Sequence, residues 1–343
     1  MTLQPRELIK HMPSDIAFTK IMPRPQQILA HSHGTCYLCG REGKVLFSGL
    51  PDKLFGVPGS WDLRRCSSSS CGLVWLDPQP DRSEWPKLYA RYYTHEEGSP
   101  KSSQLGLQAF LRQLMARLSP LEAPRKLLYG MYLDSVAPGR LLELGCGNGD
   151  RLSHFLSQGW QVEGQEVDEH AALRARRRLG VPIHLGELAA LNIANETYDA
   201  VVMSHVIEHV PDPIEVLAEC RRILKPSGRI VVVTPNMESM GACLWGKYWR
   251  GLEPPRHMMI HSRNSLQMIA ERSGFSSVRA WNTAVNSGGI FLGSLVTYFS
   301  PAPVPSAILK VGKGLSLVFA ILEIIFNAAF RRFGEECVLV AKK

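Results

Sequence analysis

The sequence predicts an α/β protein centred on a doubly wound, mostly parallel sheet. From Arg140 to Ala284, short apolar runs alternate with amphipathic stretches, the pattern of a parallel sheet covered by helices on both faces. The run Leu141-Leu-Glu-Leu-Gly-Cys-Gly-Asn-Gly149 ends in an acid and three glycines at alternate positions. A buried strand reads this way where it turns into a helix and leaves bare backbone for a ligand. With 343 residues the chain can bury a sizeable core and still carry a second module.

Residues 1–30 read as an N-terminal extension. Met1–Gly34 is broken by prolines and charges and holds no long apolar stretch, so a cytoplasmic location with reduced thiols is expected. Residues 31–80 form the first module. Cys36-Tyr-Leu-Cys39-Gly40 and Cys66-Ser-Ser-Ser-Ser-Cys71-Gly72 are two turns that can aim four thiolates at one tetrahedral ion. Cys36, Cys39, Cys66 and Cys71 are therefore the expected ligands of a structural zinc in a ribbon-like fold. The second turn has four residues between its cysteines instead of the usual two, and the competing reading is four unrelated buried cysteines. Residues 81–136 read as a helical linker and cap. It holds the aromatic stretch Tyr89–Tyr93 and two amphipathic helices within 104–135, parted at Ser119-Pro120.

The remaining domain, 137–343, has candidate strands at 140–144, 160–166, 181–185, 198–204, 228–234 and 277–283, with helices near 149–158, 168–179, 212–224 and 262–273. Glu336–Ala341 reads as a seventh and final strand. Between the last two lies an apolar insert, 285–333. Its segment Leu315–Phe330 is sixteen residues long, short of the ~20 that a bilayer span needs. A helix lying in the plane of a membrane surface competes with simple packing on the protein. In either case the small and polar stripe Ser316, Ala320, Glu323 and Asn327 is expected to face solvent.

The glycine turn resembles the first motif of the class I S-adenosylmethionine-dependent methyltransferases. A dinucleotide-binding Gly-x-Gly-x-x-Gly turn competes, but it needs glycine where this chain has Asp150. The resemblance continues through Trp160–Glu166, Gly186-Glu187-Leu188 and Arg222–Asn236, and it implies a seven-stranded sheet whose final strand runs antiparallel beside the sixth. It implies S-adenosylmethionine as cofactor. Gly145, Cys146, Gly147 and Gly149 would lie against its amino-acid end with Glu143 close by, Glu166 would take the ribose hydroxyls, and Glu187 and Leu188 would meet the adenine. Gly72–Pro80 further resembles the segment that follows a zinc ribbon in some sugar methyltransferases.

Methyl transfer needs position and a proton acceptor. His205 is the expected cofactor-contacting residue or base. It stands at i, i+3 and i+4 with Glu208 and His209, so the three share one side of a helical turn. They could hold a second, divalent metal, or Glu208 and His209 could merely brace the turn. In Trp249–Met258, Arg256 is expected to bind an anionic group of the acceptor and His257 to take its proton.

The formal charge of +8 lies in the flanks, with +5 in 1–136 and +3 in 285–343, while 137–284 is neutral. A nucleic-acid enzyme more often concentrates basic residues at its site, so a nucleic-acid partner is not expected. The expected acceptor is a hydroxyl of a sugar, a glycolipid (that is, a lipid-linked acceptor) or a related small metabolite. Peripheral contact through 285–333 with the inner face of a membrane is part of that expectation. Carbon methylation of a nucleotide sugar is the nearest alternative. A non-catalytic RNA- or protein-binding chain on the same fold is the contrasting one.

Overall fold

The computed structural model describes residues 28–90 and 122–343. Its central sheet has seven strands: β6 (Arg140–Leu144), β7 (Gln161–Glu166), β8 (Ile183–Leu185), β9 (Tyr198–Ser204), β10 (Leu224–Pro235), β12 (Ser276–Thr283) and β13 (Glu336–Lys342). Their order is β12-β13-β10-β9-β6-β7-β8. The ladders from β8 to β10 are parallel, and β13 runs antiparallel between β10 and β12. This is the expected doubly wound sheet with its last strand reversed. The order turns back at β6 and β9, and the cleft beyond their carboxyl ends is where such sheets bind ligands.

The sequence explains each element locally. In β6 the residues Leu141, Leu142 and Leu144 are almost fully buried, as a strand covered on both faces requires. Gly149 then opens the helix Asp150–Ser157 in the left-handed region (φ 79°), where glycine is at no disadvantage. Asp168 caps the helix Glu169–Leu179 by accepting from the Ala171 N–H, and Asp212 caps Pro213–Ile223 through the Glu215 N–H. Strand β10 starts four residues earlier than the apolar run indicates. Leu224 already pairs with Tyr198, and an irregularity follows before regular register resumes at Arg229.

The cysteine module is an antiparallel sheet of β2 (Gly43–Leu50), β3 (Trp61–Cys66) and β4 (Val74–Asp77). Its fourth strand, β11 (Met259–Ile260), comes from the loop after β10 and pairs with Val74 and Trp75. The cores merge as well: Cys36, Leu38, Cys71, Leu73 and Trp75 belong to one apolar cluster with Leu142, Met203, Leu266 and Ile269. Tyr37 in the first cysteine turn donates to Asp212, and Ser262 Oγ donates to the Cys71 carbonyl (3.1 Å).

A buried ionic cluster crosses the same boundary. Arg256 is 0% exposed and grips Asp52 through two nitrogens, at 2.7 and 3.0 Å. Its Nε donates to Glu253 at 3.0 Å. Asp52 in turn accepts from the backbone N–H groups of Leu54, Phe55 and Val57, which fixes the loop between β2 and β3. Arg256 is therefore a joint between module and domain, and the anionic group it pairs with is internal.

Of the helical linker, the structure describes a short helix, Trp85–Tyr89, and another, Glu122–Tyr129. The second stops at Tyr129 instead of reaching 135, because Met131 and Tyr132 adopt left-handed backbone (φ 47° and 52°). The expected helix before Ser119 and the aromatic residues after Ala90 lie outside the described residues. The insert forms an antiparallel hairpin of α8 (Ser287–Phe299) and α9 (Ser306–Phe330). The orientation of α9 is the reverse of the expected one: Ser316, Ala320 and Glu323 are buried and the apolar side faces outward. Small residues win the inner face because the helices approach closely there; a Cβ on Gly288 would meet the Ser316 carbonyl at 3.2 Å.

Removing Arg256 would leave the buried Asp52 carboxylate without a cation and Glu253 with Arg250 alone, so Arg256→Met should cost about 3–5 kcal/mol of unfolding free energy. Denaturant unfolding with cofactor-free protein measures this; a loss under ~1 kcal/mol would show that the joint is not ionic in origin.

Candidate active site

The cleft at the switch point is built around Glu166, the last residue of β7. Its side chain is 6% exposed. Oε2 accepts from the Gly147 N–H (2.7 Å), and Oε1 accepts from Val167 (2.8 Å) and Asp168 (3.0 Å). Burial raises the carboxyl's pKa while these three backbone donors pull it back. Gln165 straps the same loop by accepting from the Gly145 N–H (3.2 Å) and donating to the Gly186 carbonyl (2.6 Å). Gly145, Gly147 and Gly149 all have positive φ. A Cβ on Gly147 would meet nothing within 4 Å, so bare backbone faces open space there.

Glu143 sits at the floor. Oε1 binds Arg151 Nη1 at 3.1 Å, and Oε2 is buried without a hydrogen-bond partner. Burial pushes this carboxyl up to about 7 against the pull of Arg151. A buried acceptor of this kind is costly unless a donor arrives. Cys146 is buried beneath the loop. Leu188 is buried and starts a 3-10 turn, whereas Glu187 is half-exposed and paired with Arg82 of the linker.

On the other side of the cleft His205 adopts a left-handed backbone (φ 56°), uncommon for a residue with a side chain and frequent at functional sites. Its Nε2 lies 2.8 Å from Glu336 Oε1 and its Nδ1 3.3 Å from Glu208 Oε1. Burial would lower its pKa, but the two carboxylates outweigh this and raise it to about 10. The ring is 43% exposed, so solvent screens part of that pull. Glu336 had no signal beyond being an acid at the start of the last strand, and its contact spans 131 residues.

Glu208 is 0% exposed and accepts from Thr234 Oγ1 at 2.9 Å. His209 clusters with Glu208 and His257, whose ligand atoms lie within 4.8 Å of one another, and His205 is not among them. The rings of His209 and His257 meet edge to face at 4.6 Å, and Tyr89 Oη lies 3.0 Å from His209 Nδ1. His257 Nδ1 donates to the Gly251 carbonyl at 2.7 Å, which leaves Nε2 as an acceptor. Burial lowers its pKa to about 4. Arg256, expected beside His257 at the acceptor, points into the ionic joint and offers that acceptor nothing.

The four cysteines converge as expected. Cys36 and Cys71 Sγ are 3.7 Å apart and Cys39 and Cys66 Sγ 3.3 Å. All four sulfurs lie within 4.8 Å of one another. Ligands about 2.3 Å from a tetrahedral centre are spaced by roughly 3.8 Å, so the donor set suits such an ion.

Comparison with known proteins identifies the family. A family model described as a methyltransferase domain matches residues 104–280, and the chain belongs to that family. A probable S-adenosylmethionine-dependent methyltransferase of Mycolicibacterium smegmatis is 37% identical over 97 residues, covering 28% of this chain and 38% of the relative. A ubiquinone biosynthesis O-methyltransferase of Pseudomonas aeruginosa is 31% identical over 107 residues, covering 29% and 46%. The matches thus span less than half of these relatives' lengths. Among solved structures, an S-adenosylmethionine-dependent methyltransferase from Archaeoglobus fulgidus is 20% identical, covering 68% of this chain and 99% of that one, with a TM-score of 0.43.

The pairing of His205 has a defined pH signature. A raised folded pKa means that its contribution to stability is complete below the ordinary value of 6.5 and disappears as pH rises through about 10. Ring NMR should find His205 charged at pH 8 and moved toward the ordinary range in Glu336→Gln; a wild-type midpoint near 6.5 would contradict the pairing.

Proposed function

We propose that the chain transfers the methyl group of S-adenosylmethionine to a hydroxyl of a sugar, glycolipid or related small acceptor. The observation that carries this is the unpartnered Glu143 Oε2 beside a glycine loop with open space over Gly147. The cofactor's amino group is a donor for that oxygen. Glu166 has acceptor capacity left for a ribose diol, because each oxygen offers two lone pairs and Oε2 holds one N–H. Gly145, Cys146 and Gly149 shape the bend, and Leu188 and Glu187 border the adenine side. When bound, the cofactor supplies an activated methyl group on sulfur. Support for an oxygen acceptor comes from the names of the ubiquinone-pathway relatives.

The chain's own residues divide the remaining work. His205, whose pKa is raised by Glu208 and Glu336, orients at the cleft and is not assigned the proton. Neutral His257, with Nε2 free beside His209, takes the acceptor's proton, and Tyr89 closes that side. Glu208, His209 and His257 also suit a divalent cation. We further propose that Cys36, Cys39, Cys66 and Cys71 hold a structural zinc that fixes the module.

In calorimetric titration with S-adenosylmethionine, Glu166→Ala should weaken binding about 100-fold, since it removes hydrogen bonds to a charged group. Affinity within threefold of wild type would contradict the assignment. His257→Gln should lower kcat with little change in that affinity, and turnover should survive EDTA; loss with EDTA would assign the histidines to a metal instead. Elemental analysis should find one zinc per chain, and a metal-free sample with four reactive thiols would contradict the zinc site.

A further inference from the structure

Helix α9 exposes the side that a soluble protein usually hides. Val311, Leu315, Leu317, Ile321, Ile325 and Phe330 are between 49% and 63% exposed among the described residues. Its inner stripe is anchored: Glu323 accepts from the N–H groups of Met240 and Gly334, both at 3.2 Å. The outward face is therefore fixed by the fold. At about 1.5 Å per residue the 25-residue helix is roughly 37 Å long, and an apolar patch on that scale marks an interaction surface.

The charges decide what covers it. Lys310 and Lys313 flank one end and Arg331 and Arg332 the other. All three acids of 285–343, Glu323, Glu335 and Glu336, are at most 1% exposed. A second copy packed along this face would set cations against cations whether it ran parallel or antiparallel, because both ends carry the same sign. An anionic lipid surface matches both the apolar face and its basic ends. Spanning is a different matter: no helix among the described residues is long and apolar enough to cross a membrane. The strands that flank the hairpin, β12 and β13, pair with each other in the central sheet, so both ends of the hairpin stay on one side.

We infer that the α8–α9 hairpin docks the protein onto an anionic membrane surface, with α9 lying in the interfacial plane. This does not depend on methyl transfer, and it is tested without cofactor. The full chain is sedimented with large vesicles of phosphatidylcholine containing one quarter phosphatidylglycerol, and with pure phosphatidylcholine. It should bind the anionic vesicles, weaken as salt rises, and bind pure phosphatidylcholine at least tenfold less. Lys310→Glu with Arg332→Glu should weaken binding by about fivefold or more for each cation removed. Leu317→Glu with Ile325→Glu should abolish it while the melting temperature stays unchanged, since both positions are exposed. Failure to bind anionic vesicles would overturn the inference, as would equal binding to both vesicles. A dimer that Leu317→Glu dissociates would overturn it too, by assigning the face to a second copy.

Discussion

The desolvated carboxylate of Glu166 is the constraint on which the cleft depends. It holds the bend after β6 through the Gly147 N–H and its own turn after β7 through the Val167 and Asp168 N–H groups, and Gly147 faces empty space. Without that acid the Gly147 N–H would need another partner, because buried backbone donors are rarely left unpaired. Glu143 completes the arrangement from β6, with one oxygen held by Arg151 and the other left for a ligand.

A second constraint joins the cysteine module to the domain. Strand β11, the Arg256–Asp52–Glu253 cluster and the shared apolar core tie the loop after β10 to the module's sheet. His257 follows Arg256 directly, so the cluster that ties the module down also sets the position of the buried histidine.

Much of this was legible in the chain. The alternating apolar runs define the parallel strands, and the glycine bend and the convergence of the cysteine turns could be read as well, because periodicity and turn chemistry are local. What could not be read depends on distant partners. Arg256 looks like an acceptor-binding cation until Asp52, 204 residues away, takes it. His205 looks unpaired until Glu336, 131 residues away, meets its Nε2. The stripe on α9 looks solvent-facing because it is polar, but close approach to α8 favours small residues, and Glu323 finds backbone donors there.

The most direct test is a crystal structure of the chain soaked with S-adenosylhomocysteine. The account predicts its amino group within hydrogen-bond distance of Glu143 Oε2 and its ribose hydroxyls on Glu166. A cleft that stays empty, or that takes a nicotinamide dinucleotide in preference, would contradict it.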